Sequence, residues 1–165
     1  SKLPTPEVVH YIADRCKVAT ADITLIVART ASLAGGTQVV ARSVETALHK
    51  LHELKFDLSR IVGGVGTAPL PPVAKDDLAA IGRTNDGILY AAEVVLWLRA
   101  DDATLEVVGP QIPSNASTDF GQPFAEIFER YDRDFYKIDP HLFSPAHVTL
   151  VNITSGRTHA FGLTT

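Results

Sequence analysis

Apolar residues along this chain recur either every three to four positions or in short continuous runs. The alternation of those two rhythms lays out its elements. Thr5-Pro6-Glu7 reads as a helix start: a hydroxyl N-cap, proline at the first helical position, then an acid near the positive end. Val9, Ile12, Ala13 and Cys16 follow at helical spacing and predict a core-facing stripe, with Cys16 a buried structural thiol. Ile23-Thr24-Leu25-Ile26-Val27-Ala28 is a continuous β-branched run and predicts a strand buried on both faces. Gly35-Gly36 is expected to break the chain. Val40, Val44, Ala47, Leu48, Leu51 and Leu54 then mark one stripe of an amphipathic helix over 37–54.

Further on, Ile61-Val62-Gly63 predicts a short strand that opens into a glycine and proline loop through Pro72. The pattern predicts helix over 76–90, strained by Gly82 and Gly87. Residues 93–99 and 104–108 predict a hairpin turning at Asp101-Asp102. A polar loop over 110–121 leads to a short helix at 123–131, with Phe124, Ile127, Phe128 and Tyr131 on one side. A second hairpin, 148–153 and 158–161, turns at Ser155-Gly156. This order predicts a mixed α/β (α+β) fold, a mixed sheet with flanking helices, in a single domain over 1–165.

Composition removes several function classes. Hydrophobic residues are 45% and charged residues 21% of 165, and the net charge is −4, so no basic field exists for nucleic acid or anionic membrane. The longest apolar runs fall far short of the ~20 residues of a membrane helix. The start, Ser1-Lys2-Leu3-Pro4, is not a signal peptide. A single cysteine suits a reducing cytoplasm.

Candidate chemistry begins with Arg42 and Glu45, neighbours at i and i+3 on the polar face opposite the Val44-Leu48-Leu51 stripe. Such a pair is either a solvated surface ion pair or the lip of a cleft. His49 and His52 extend that face, and with Glu45 could meet at a zinc or di-iron site, but the spacing is loose and a plain exposed helix face is the default reading. Gly63-Gly64-Val65-Gly66-Thr67-Ala68-Pro69 follows a strand as a phosphate loop would. It lacks the Gly-Lys-Ser/Thr ending, and the prolines after it block the helix that would hold phosphate. Gly82-Arg83-Thr84-Asn85-Asp86-Gly87 sets polar residues and glycines inside a helix against local propensity, which marks either a functional site or a kink. Ser114 and Ser117 could bind a ligand or simply close a surface turn. Phe120, Phe124, Phe128, Phe135 and Tyr136 read as core rather than as a stacking platform.

Three segments resemble one family. Asp119-Phe120-Gly121-Gln122-Pro123-Phe124, continuing through Asp134-Phe135-Tyr136-Lys137-Ile138-Asp139 to Phe143-Ser144-Pro145-Ala146, is the most distinctive. Together with Gly82-Arg83-Thr84-Asn85-Asp86 and Arg42-Ser43-Val44-Glu45 it is similar to the methenyltetrahydromethanopterin cyclohydrolases, along almost this whole chain but over only the C-terminal half of the family's polypeptide. The resemblance implies about half of a two-part fold, with the active site between the parts and the N-terminal half supplied by a second or clipped polypeptide. It implies hydrolysis of 5,10-methenyl-tetrahydromethanopterin to the N5-formyl form, with no metal and no cofactor beyond the pterin carrier that is the substrate. Arg42 and Glu45 look like the family's catalytic pair. Arg83, Asn85, Asp86, Gly66, Thr67 and Ser117 are the positions the resemblance offers for binding the pterin. A cytoplasmic homo-oligomer is the implied state. A non-catalytic pterin-binding or assembly subunit is the alternative, and a metal-dependent hydrolase using Glu45, His49 and His52 a third.

Overall fold

The computed structural model describes residues 3–164. Its elements are α1 (Pro6–Cys16), α2 (Leu33–Val40), α3 (Ser43–Glu53), β1 (Ile61–Thr67), α4 (Asp77–Ala91), β2 (Glu93–Leu98), α5 (Asp102–Val108), α6 (Phe124–Arg130), β3 (His147–Asn152) and β4 (Thr158–Gly162). The four strands form one mixed sheet in the order β1-β2-β3-β4. The β1/β2 and β3/β4 pairs are antiparallel, and β2/β3 is parallel, with α5 and α6 in the crossover. The mixed α/β class is the one the apolar pattern predicts. None of the described helices is long and apolar enough to cross a membrane.

The sheet alternates as a pleated surface must. Val94, Leu96 and Leu98 of β2, with Val148 and Leu150 of β3, point to one face and are buried against Ala47 and Leu51 of α3 and Leu105 of α5. Fully burying each of these large side chains contributes ~1.5–3 kcal/mol. A second cluster joins Leu89 of α4 to Phe124, Ile127 and Phe128 of α6, with Ile138 and Leu142. The C-terminal aromatic segment thus packs against the α4–α6 pair.

Several expectations need correction. Residues 23–28 form no strand. They carry no regular secondary structure, and Leu25, Ile26 and Val27 are exposed, Ile26 at 96%. Cys16 is exposed rather than buried, because only Ala13 of α1 is fully packed. The helix foreseen over 37–54 is two helices, broken at Ala41-Arg42, where the Arg42 amide reaches back only to Val39 O. The break re-phases the chain: Val40 packs with Ile88 of α4, while α3 turns its stripe to the sheet.

Gly35 and Gly36 lie inside α2, where they are buried. At Gly35 a Cβ would collide with the Arg29 carbonyl, so this close approach requires glycine. The glycine loop after Ile61 is instead the body of β1, because Gly64 and Gly66 let α3 lie directly on the strand. A Cβ on Gly66 would strike the Ser43 side chain.

The hairpin partner foreseen at 104–108 is helix α5. Asp101 caps it, accepting from the Thr104 amide at 2.8 Å and the Thr104 hydroxyl at 2.7 Å. An acid followed three residues later by a threonine was therefore a cap, and not a turn between strands. The remaining long elements, α4, β2, α6 and the β3/β4 hairpin, fall where the pattern sets them to within two residues.

Candidate active site

The break before α3 gives the site its geometry. Since α3 presses Val44, Ala47 and Leu51 toward the sheet, Arg42, Glu45, Thr46 and His49 are turned to its other side. There they line a cleft of 590 Å³ whose opposite wall is α4, through Ile81, Thr84, Asn85, Ile88 and Leu89. The aromatic segment closes one end with Phe135, Tyr136, Ile138, Pro140 and Phe143, and Thr30 and Val39 border another.

At the lip, Arg42 Nε lies 3.0 Å from Glu45 Oε2. Both side chains are more than half exposed, so the pair by itself adds only ~0–1 kcal/mol to stability. What it does is hold a carboxylate in one orientation over an apolar hollow. Asn85 Nδ2 donates to Ile81 O at 2.9 Å, fixing the amide while its carbonyl oxygen stays available to a ligand. Tyr136, fully exposed, stands at the rim, and Phe135 stacks back on Phe124 and Phe128. The aromatic residues therefore divide: Phe124 and Phe128 are core, as expected, whereas Phe135 and Tyr136 face the cleft.

Of the residues offered for catalysis and pterin binding, the structure brings Arg42, Glu45 and Asn85 to one cleft. The others of that set lie elsewhere. Arg83 is exposed and its Nη1 donates to Pro72 O at 3.2 Å. Asp86 accepts from the Phe124 amide at 2.8 Å, where burial pushes its carboxyl above the ordinary value; it positions α6. Ser117 is buried and donates to Asp139 Oδ2 at 2.6 Å. Gly66 underlies Ser43 beside Arg42, and Thr67 ends β1 in solvent. Glu45, His49 and His52 do not converge. His49 Nε2 faces Glu53 at 3.9 Å, and among the described residues no three His, Cys, Asp or Glu gather as metal ligands.

Lys50 went unremarked in the sequence. Its side chain is 1% exposed, and its Nζ donates to His141 O at 2.5 Å. Burial lowers its pKa to about 8, against the opposing pull of Asp139. Asp139 in turn caps His141 N at 2.9 Å. Lys50 thereby ties α3 to the segment that carries Tyr136 and Phe143. The signal was its phase: Ala47, Lys50 and Leu51 share the inward face of α3.

This chain is similar to known proteins throughout its length. The profile of the family described as Cyclohydrolase (MCH) matches residues 1–165. A methenyltetrahydromethanopterin cyclohydrolase of Rhodopirellula baltica is 52% identical over 97% of this chain and 49% of its own. Proteins of the same name from Xanthobacter autotrophicus and Methanocella arvoryzae are 51% and 43% identical, over 48% and 50% of their lengths. The chain thus spans about half the length of these relatives. The match of profile, relatives and sequence motifs is decisive: the chain belongs to the cyclohydrolase (MCH) family.

Proposed function

We propose that this chain supplies one wall of a methenyl-tetrahydromethanopterin cyclohydrolase, with Glu45 as the group that handles protons. The observation that carries this reading is the Arg42–Glu45 pair, 3.0 Å apart at the lip of an apolar cleft wide enough for a flat heterocycle. In the substrate the one-carbon unit bridges N5 and N10 as a cationic amidinium, so its carbon is already electrophilic. No metal is needed to activate it. Ile88, Leu89 and Phe143 offer apolar surface to the ring faces, and the Glu45 carboxylate offers charge to the cation.

The reaction adds water and breaks one C–N bond. Glu45 accepts a proton as the water oxygen bonds to the methenyl carbon, giving a neutral tetrahedral adduct. The C–N10 bond then breaks with its electron pair going to N10, which takes a proton back from Glu45. The remaining hydroxyl loses its proton to solvent and becomes the formyl carbonyl on N5. Arg42, with its Nε 3.0 Å from Glu45 Oε2, holds the carboxylate in place. We take the second wall to be the family's N-terminal half, and the working state to be a cytoplasmic homo-oligomer of such two-walled units.

Glu45→Gln, assayed with both halves present, should lower turnover by about 10²–10⁴-fold with a far smaller change in substrate affinity. Unchanged turnover would remove Glu45 from the mechanism.

A further inference from the structure

The run Ile23-Thr24-Leu25-Ile26-Val27-Ala28 is an apolar stretch left without cover among the described residues. Ile23, Thr24, Ile26 and Val27 are β-branched, yet Leu25, Ile26 and Val27 are exposed. Among the described residues, no backbone group of residues 24–28 hydrogen-bonds another backbone group. Apolar side chains on both sides of a bare backbone are what a strand covered on both faces needs, and in water they are a liability.

The run is anchored at one end. Arg29 lies 3.6 Å from Asp77, and the Ala31 amide donates to Asp77 Oδ1 at 2.9 Å. Between them Thr30 borders the cleft. Whatever pairs with residues 23–28 is therefore held beside the cleft.

We propose that residues 23–28 form a β-strand added to the edge of a sheet in the family's remaining half, fastening that half over the cleft. The inference rests on the two-walled reading of the site and names the surface that makes the second wall stay. The occupant follows from length and place. The matched relatives carry about as much chain again as is present here, and the run ends two residues before Thr30, which lines the cleft. Main-chain hydrogen bonds would supply affinity, and pockets for Ile26 on one face and Leu25 and Val27 on the other would supply register.

The test is amide hydrogen exchange at residues 24–28. It is read in this chain at low and high concentration, and in a full-length chimera where this chain replaces the matching part of the Rhodopirellula baltica relative. Exchange should be unprotected in the chain alone and slowed on the order of 100-fold or more in the chimera. Ile26→Asp in the chimera should abolish protection at 24–28 while β2 stays protected. Equal exchange at 24–28 in a folded chimera overturns the proposal, and so does protection that grows with concentration in the chain alone, which would assign the strand to a second copy. If the chimera does not fold, the same measurement on the Rhodopirellula baltica protein, at the positions matching 23–28, decides in the same way. Turnover separates the two readings. A chimera protected at 24–28 but inactive breaks the cyclohydrolase assignment alone, and an active chimera unprotected there breaks the strand alone.

Discussion

Ile23-Thr24-Leu25-Ile26-Val27-Ala28 and Glu93-Val94-Val95-Leu96-Trp97-Leu98 are written in nearly the same alphabet, and their fates are opposite. The second is β2, hydrogen-bonded on both sides by β1 and β3, with Leu96 fully buried under α3. The first lies bare, with Ile26 in solvent. Intrinsic β-propensity is the fit of a side chain to a pleated, half-buried surface. It states a requirement for burial and leaves open which part of which chain will meet it. In β2 the requirement is met within these residues; at 23–28 it is not.

That contrast can be sharpened or broken by substitution. The largest effect belongs to Leu96→Ala, which should cost ~2–5 kcal/mol in denaturant unfolding of this chain. Ile26→Ala in the same background should stay within ~0.5 kcal/mol, as for any uncoupled surface change. An Ile26→Ala cost equal to that of Leu96→Ala would mean that residues 23–28 are already packed, and the contrast would collapse.

Two charged groups, Lys50 in the interior and the half-buried Asp102, test how far the body, unlike the run at 23–28, depends on internal partners. Lys50 has a pKa near 8 in the folded chain against an ordinary value of 10.5, because burial disfavours its charge. Between those values the unfolded chain holds a proton that the folded one has released, so stability should rise as pH goes from about 8 toward 10. Lys50→Met should flatten that rise, measured by denaturant midpoints at neutral and alkaline pH. Asp102 works the other way. Hydrogen bonds from Asn152 and His159, then Ser155, and the charge of Arg157, hold its carboxyl down to about 2. Its contribution is complete above the ordinary carboxylate value near 4 and is lost as pH falls from there toward 2. Asp102→Asn should remove that acid-side loss without altering the alkaline limb, a smaller effect confined to the closing hairpin.

Much of the fold was legible because its signals were local. Asp76 caps α4 through the Ala79 amide, and the alternation of β2, β3 and β4 follows the pleat. What escaped depended on contacts far along the chain. Nothing near Thr104 says that α5 must cover β2, and nothing near Gly35 says that Arg29 will cross it. In the site, spacing set Arg42 beside Glu45 on one helix face and marked the polar cluster around Asn85 as at odds with its helix, but only the family resemblance singled them out as site residues. Thr30, Phe135 and Tyr136 were not readable as lining, since they reach the cleft only through the packing of the aromatic segment and α2 around α4. Arg83 and Asp86 share Asn85's cluster but point elsewhere, as residues one or two positions away on a helix do.

The central claim is that the chemistry requires this cleft and a second wall together. It is tested most directly by following loss of the methenyl chromophore of methenyl-tetrahydromethanopterin, with this chain alone and with it joined to the family's other half. The account predicts hydrolysis only in the joined form and its near-complete loss on Glu45→Gln. Turnover by this chain alone at the rate of the joined form would contradict it, because the open cleft would then be a complete active site.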